Sequence, residues 1–391
     1  MKTIDAENFK GKRVIVRVDF NVPMKDGVVT DDTRIRKAIP TIKKLVEDGA
    51  RVILMSHLGR PSGNGFEQDY SLEAAAVKLS NLIGRPVLYS NEIAGEGTID
   101  KIAGMNDGDI LVIENLRFDA REKKNDEAFA SELASLADAY VNDAFGTAHR
   151  AHASTAGIAR YLPAYAGYLL ENEVKTITGM LDNPKKPFVA VLGGSKVSDK
   201  IKVIENLLDK ADTIVIGGAM CFTFLKAQGA EIGSSLVEED WVERCKEMLA
   251  KAKEIDTTLL LPVDVVCAEK IEAGVPVKVC NAFAIDSNLM GLDIGPKSIE
   301  NYKKAIAEAK SVFWNGPMGV FEIDEFAAGT KAVAEALAEN EEAETIIGGG
   351  DSVAAVNKFG LADKMTFIST GGGASMELVQ GDVLPGVAAL G

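Results

Sequence analysis

Eleven of the twelve arginines in this chain of 391 residues precede residue 161, as do all three histidines, His57, His149 and His152. The ones of chemical interest follow short apolar runs. Asp19 and Asn21 come after RVIVRV, His57 and Arg60 after RVILMS, Arg117 after DILVIE, and His149 with Arg150 after AYVND, while Arg34 opens a helical stretch. Guanidinium groups grip carboxylates and phosphates through paired N–H donors. With Asp19 and Asn21 available to hydroxyls, the set suits a small anion bearing carboxylate, phosphate and hydroxyl groups.

The back half holds glycine clusters instead: Gly193-Gly194-Ser195-Lys196, Gly348-Gly349-Gly350-Asp351-Ser352 and Gly371-Gly372-Gly373. Each ends an apolar run and precedes a helical pattern, where bare backbone N–H groups and a helix N-terminus can hold a polyphosphate. Lys196 and Lys200 are expected one turn apart on one face of a helix over 196–209. Asp351 adds a carboxylate suited to Mg2+ beside a phosphate chain. The spacing is neither the P-loop GxxxxGK[ST] nor the dinucleotide GxGxxG. Two anion sites of different construction, one per half, point to the transfer of a charged group between two ligands.

Such sites need strands to place them. Runs at 13–20, 51–57, 86–90, 109–114 and 139–143, then at 187–192, 213–217, 258–262, 311–314, 344–347 and 365–369, are rich in β-branched residues and lack alternation. Parallel strands covered on both faces read this way. Helical patterns fall between them, near 33–48, 71–83 and 124–137, then near 196–209, 238–253, 297–309, 325–338 and 352–358. The expected fold class is α/β, with two doubly wound parallel-sheet (Rossmann-like) domains. Ligands of such sheets bind beyond the carboxyl ends of the strands, which is where the residues above stand. Residues 170–182 read as one helix, stopped by Pro184 and Pro187. The first domain is therefore expected over 1–169, a hinge helix and linker over 170–186, and the second domain over 187–377.

Composition narrows the partners. The chain is 47% hydrophobic with a net charge of −15, which argues against nucleic acid or an anionic membrane. Residues 1–170 hold 22 basic and 24 acidic side chains and the remainder 21 and 34, so the front half can be locally positive where its arginines converge. Cys221, Cys245, Cys267 and Cys280 show no metal-ligand spacing. No apolar stretch approaches the roughly 18–20 residues of a membrane span, and the expected location is the cytoplasm.

Nine segments carry a resemblance along nearly the whole chain: VRVDFNVP (16–23), DDTRI (31–35), SHLGRP (56–61), ENLRF (114–118), NDAFGTAHRAH (142–152), GGSKVSDK (193–200), FWNGPMGVFE (313–322), GGGDS (348–352) and STGGGAS (369–375). Together they resemble the phosphoglycerate kinase family, whose members interconvert 1,3-bisphosphoglycerate plus ADP with 3-phosphoglycerate plus ATP as Mg2+-dependent, two-lobed monomers. The resemblance implies that Asp19, Asn21, Arg34, His57, Arg60, Arg117 and Arg150 bind the glycerate substrate. It implies nucleotide contacts from Lys196, Lys200, Gly291, Asn315, Glu322, Gly349, Gly350, Asp351 and Ser352, with Asp351 holding Mg2+. Gly217, Gly218 and Leu292 would line the adenine pocket, and Glu322 would take the ribose. It further implies that 378–391 returns to the first domain. Ser195 and Cys221 stand where the family more often has alanine.

Phosphoryl transfer needs alignment and neutralised charge more than covalent help. A carboxylate nucleophile, with a pKa of about 4, is already ionised, so no general base is required. Arg34, Lys196 and Mg2+, with backbone N–H groups about Gly350 and Gly372, are expected to stabilise the phosphoryl in flight. Sites on separate domains make hinge closure part of the expectation. A two-lobed α/β small-molecule-binding protein without catalysis would have no use for Lys196 or the Gly348–Asp351 cluster. A nicotinamide dehydrogenase would show GxGxxG after an early strand, where this chain has DFNVP.

Overall fold

The computed structural model describes all residues, Met1–Gly391. They fall into two compact units, Met1–Lys175 with Val383–Gly391, and Thr176–Asp382. Each unit is built on a six-stranded parallel sheet. Across the first sheet the order is Leu88–Tyr89, Ile110–Val112, Arg51–Met55, Arg13–Arg17, Ala139–Asn142, Ala164–Ala166. Across the second it is Thr258–Leu260, Thr213–Ile216, Phe188–Leu192, Ser311–Asn315, Glu344–Gly348, Phe367–Ile368.

Both orders follow one plan: the chain starts at a central strand, fills one side, then crosses to fill the other. The reversal falls between Arg13–Arg17 and Ala139–Asn142 in the first unit, and between Phe188–Leu192 and Ser311–Asn315 in the second. A crevice opens at the carboxyl ends of strands that part in this way. Topology thus names the strand ends where a ligand site must form.

The strands are apolar because helices cover both faces. All five residues of Phe188–Leu192 are buried. The helix Thr33–Glu47 buries Ile35, Ala38, Thr41, Ile42 and Leu45, spaced so that they share one face, and this face packs into a cluster with Val14, Val16, Val52 and Leu54. The α/β class and its two parallel sheets match the sequence expectation. No helix is long and apolar enough to cross a membrane. The division between the units falls inside the helix Tyr168–Asp182.

Two features depart from the expectation. The second unit also carries an antiparallel sheet, with Asp264–Ala268 between Lys278–Asn281 and Met290–Ile294. One of its two edge strands, Lys278–Asn281, exposes three of its four residues, so no apolar run announces that strand. The second departure concerns the lysines. The helix expected from 196 begins only at Ile201. Ser198 donates its N–H and hydroxyl to Glu238, at 2.9 and 2.6 Å, and these bonds hold the segment as turns instead. Lys196 therefore lies in a loop and Lys200 at the helix N-cap, not on one helix face.

Candidate active site

Charge pairing sorts the arginines of the first unit. Arg13, Arg36, Arg51 and Arg160 each meet a carboxylate, Asp138, Asp32, Asp107 and Glu127 in turn, and Arg121 meets both Asp119 and Glu132. Arg85 donates to the Gly108 carbonyl. Arg60, Arg117 and Arg150 form no ion pair. Arg117 donates to the Gly59 carbonyl at 2.7 Å and Arg150 to His149 Nε2 at 3.2 Å. Arg34 stands between the groups, with Nη1 donating to Asp19 Oδ2 at 2.9 Å and to the Asn21 carbonyl at 3.2 Å.

The unpaired cations come from loops laced to one another at the strand ends. Phe20 N–H donates to Ser56 Oγ at 2.8 Å and Gly59 N–H to Asn21 Oδ1 at 2.9 Å, tying the loop after Arg13–Arg17 to the loop after Arg51–Met55. Asn115 accepts from Leu58 N–H and donates to the Leu58 carbonyl, which sets the Arg117 loop against that of His57. The cations feel each other. Burial, then Arg150, Arg17 and Arg60, bring Arg117 down to about 10. Burial, then Arg17, Arg117, Arg150 and Arg34, hold His57 well below its ordinary value. His152 falls to about 4 through burial and the charges of Arg17, Arg117 and Arg150. An anion bound here relieves this mutual repulsion.

Arg17 belongs to this cluster, and reading strand ends missed it. It is the last residue of its strand and is 1% exposed. The available signal was a lone cation inside the apolar run VIVRV.

In the second unit the reversal joins Gly193 to Asn315, the glycine N–H donating to the asparagine carbonyl at 3.0 Å. A pocket of about 300 Å3 opens there, lined by Gly193 to Lys196, Lys200, Asn315, Gly349 to Ser352 and Gly372 with Gly373. Gly217, Gly218, Gly291, Leu292 and Glu322 are outside this lining. Gly218 N–H donates to the Met318 carbonyl behind it, Gly291 lies against the Phe222 ring, Leu292 is buried in the antiparallel sheet, and Glu322 is exposed. The expected phosphate contacts are thus gathered around one pocket, and the residues expected for adenine and ribose lie outside its lining.

Among the buried N–H donors that find no acceptor in the chain, Arg117 Nε lies in the first site and Asn315 Nδ2 in the second. Leaving such a donor open costs about 1–3 kcal/mol, which a ligand oxygen recovers. Gly350 points the same way. A Cβ there would meet nothing within 4 Å, and it opens the helix Gly350–Lys358 with ordinary backbone. Neither packing nor conformation requires this glycine, which leaves the close approach of a ligand to a helix N-terminus.

Asp351 is exposed in the first turn of the same helix. No group of three or more His, Cys, Asp and Glu side chains could hold a metal. One carboxylate beside phosphate-binding groups is the donor set that Mg2+ accepts, because it completes its shell with substrate phosphates and water. The residues fit it. A larger cleft of about 890 Å3 is lined by Asp26, Asp69, Glu73 and Lys78, and its lysine is tied to Asp32, so it repels phosphates rather than gathering them.

Lys200 makes the second site sensitive to pH. Its Nζ donates to Asn315 Oδ1 and has no carboxylate within ion-pair distance. Burial lowers it to about 8, with Asp199 and Asp351 opposing the shift. A polyphosphate beside the ammonium raises the value again, so above pH ~8 the free protein is deprotonated where the complex is not. Nucleotide binding is expected to take up a proton at pH 9 but not at pH 7, and to weaken as pH rises through this window. Calorimetry in two buffers of different ionisation enthalpy reads the uptake directly. Equal heats at pH 9 would clear Lys200 of this role.

The profile of the family described as "Phosphoglycerate kinase" matches residues 4–382. A curated relative from Thermosipho africanus, "Phosphoglycerate kinase", is 56% identical over 391 residues, covering 99% of this chain and 97% of its own. Among solved structures, the phosphoglycerate kinase of Coxiella burnetii superposes with a TM-score of 0.91 at 44% identity, over 99% of this chain and 98% of that one. The enzyme from Pyrococcus horikoshii OT3 gives 0.83 at 34% identity, over 100% and 98%. Since the match runs through both units and through every strand-end segment described above, this chain belongs to the phosphoglycerate kinase family.

Proposed function

We propose that the two sites divide the family's reaction between them. The chain is a phosphotransferase of glycolysis, acting on small molecules. In our reading the first unit holds the glycerate substrate through Asp19, Asn21, Arg34, His57, Arg60, Arg117 and Arg150. The second holds the phosphates of ADP or ATP through Lys196, Lys200, Asn315, Gly349, Gly350 and Ser352. Gly217, Gly218, Gly291, Leu292 and Glu322 receive the adenine and ribose. The observation that carries this assignment is the pair of open buried donors, one within the unpaired arginines and one within the glycine pocket.

The chemistry asked of these residues is electrostatic. The acceptor carboxylate is ionised at neutral pH, so Arg34 and Lys196 neutralise charge on the transferring group and no side chain removes a proton. N–H groups at the starts of Gly350–Lys358 and Gly373–Val379 add donors that need no reorganisation. Magnesium, held by Asp351 and the nucleotide, would supply further neutralisation of the phosphates. Because the sites belong to different units, transfer requires the units to approach, and the helix Tyr168–Asp182 is the element about which we expect them to turn.

Asp351→Asn tests the metal assignment. The Mg2+ concentration for half-maximal ATP formation from 1,3-bisphosphoglycerate and ADP is expected to rise about 10–100-fold, the range for losing a group that supports a bound metal. An unchanged requirement would move the metal elsewhere.

A further inference from the structure

Arg17 is neither paired with a carboxylate nor open to a ligand. It closes the central strand, 1% exposed, and each of its three side-chain nitrogens has a partner in the chain. Nε donates to Ser154 Oγ at 2.9 Å, Nη1 to the Val18 carbonyl, and Nη2 meets His57 Nδ1 at 3.0 Å. Ser154 Oγ donates onward to Glu122 Oε1 at 2.5 Å, and Ser154 N–H to Glu122 Oε2 at 3.0 Å. Glu122 is also 1% exposed. A buried cation and a buried carboxylate are thus joined through one hydroxyl, and the imidazole of His57 lies on the far side of the cation.

A guanidinium carries donors and no acceptor. Where it meets Nδ1, that nitrogen must offer its lone pair, and the proton of a neutral ring then sits on Nε2. No protein group hydrogen-bonds to Nε2. Burial first, and then cations from several elements, disfavour the charged ring: Arg17 in the strand, Arg117 and Arg150 in their loops, and Arg34 in the helix Thr33–Glu47. Both carboxylates near Arg17, Glu122 and Asp19, are already engaged, with Ser154 and with Arg34.

We propose that Arg17 is a positioning residue that fixes His57 as the neutral Nε2–H tautomer, so that His57 always donates, and never accepts, a hydrogen bond at the glycerate site. The substrate half of this proposal rests on the assignment of His57 to that site. A fixed donor selects an anionic oxygen and excludes a ligand that presents only a donor there. Arg17 acts on the substrate without touching it.

Long-range 1H–15N NMR of the 15N-labelled full chain reads the tautomer directly, and with only three histidines the His57 signals are identified by their loss in His57→Gln. The expected spectrum is a neutral ring protonated at Nε2 from pH 5.5 to 8 in the ligand-free protein. A ring protonated at Nδ1, or one that titrates near its ordinary value of about 6.5, overturns the proposal. Arg17→Met is expected to mix the tautomers and to raise KM for 3-phosphoglycerate about tenfold or more, the scale of a lost hydrogen bond to a charged group, with KM for ATP unchanged. If that variant does not fold, the spectrum of the unaltered protein still decides.

Glutamine places an N–H near Nε2, whereas asparagine places its amide near Nδ1. His57→Gln should therefore keep KM for 3-phosphoglycerate within about threefold while His57→Asn raises it about tenfold. Equal losses would overturn the donor role. An unchanged KM in His57→Ala would overturn the site assignment on which the substrate half depends, while leaving the tautomer result standing.

Discussion

Arg34→Ala is expected to lower kcat by about 10²–10³, the loss that follows removal of one preorganised donor to a developing anion. The fold should hardly notice. Arg34 is in the first turn of Thr33–Glu47, its side chain is 39% exposed, and its pairing with Asp19 is of the part-exposed kind that contributes about 0–1 kcal/mol. KM for ATP should stay near its normal value, because Arg34 belongs to the first unit and we place the nucleotide in the second. Arg34→Lys should recover only part of the rate: lysine restores a charge but not the planar pair of donors. Steady-state kinetics with each substrate varied in turn, beside a thermal melt, separate these effects. A variant that turns over almost normally would remove Arg34 from the transition state and leave it as the partner of Asp19.

Arg34 shows what the sequence made legible. It stands just inside a helix start, two residues after an acidic pair. Legible too are Arg60, Arg117 and Arg150, each in a loop after an apolar run, where a doubly wound sheet places its ligands. Their lack of carboxylate partners, against the pairing of Arg13, Arg36, Arg51, Arg121 and Arg160, is a fact of three dimensions: Arg13 meets Asp138 across a separation of 125 residues. Arg17 was hidden for a different reason. Both faces of its strand are buried, so no alternation marks one position as special. Its role depends on Ser154 and Glu122, which are remote in sequence. The loop from Gly193 to Lys200 misled because its lysine spacing fits a helix. The bonds from Ser198 to Glu238 that prevent the helix come from forty residues away. The antiparallel strand that carries Gly291 and Leu292 had no counterpart in the parallel-strand pattern, so their setting was not legible.

Gly218→Ala is expected to damage the second unit severely, and comparison with Gly350→Ala shows what the glycines are for. Gly218 has φ +66°, and a Cβ there would lie 2.4 Å from Gly194 O, 2.5 Å from Gly194 N and 2.9 Å from Pro317 O. These are backbone atoms of loops that are themselves bonded: Gly194 N–H donates to the Pro317 carbonyl at 3.1 Å, and Met220 N–H to the Gly194 carbonyl at 3.1 Å. They cannot swing aside as a flexible side chain would. Left-handed strain and overpacking together cost about 2–5 kcal/mol. A loop shifted by about 1 Å loses about 10²-fold in catalysis. Binding of 3-phosphoglycerate, which we place in the first unit, should survive. Gly350→Ala reverses this pattern. With nothing within 4 Å of the new Cβ and ordinary backbone, it should cost no stability. The methyl group would instead stand where we place the nucleotide phosphates, and KM for ATP should rise about tenfold, the equivalent of about 1.4 kcal/mol. Melting curves and nucleotide titrations of the two variants therefore give opposite results if one glycine serves packing and the other serves the ligand. A Gly350→Ala protein that binds ATP normally would show that the space over that helix start is not where the phosphates lie.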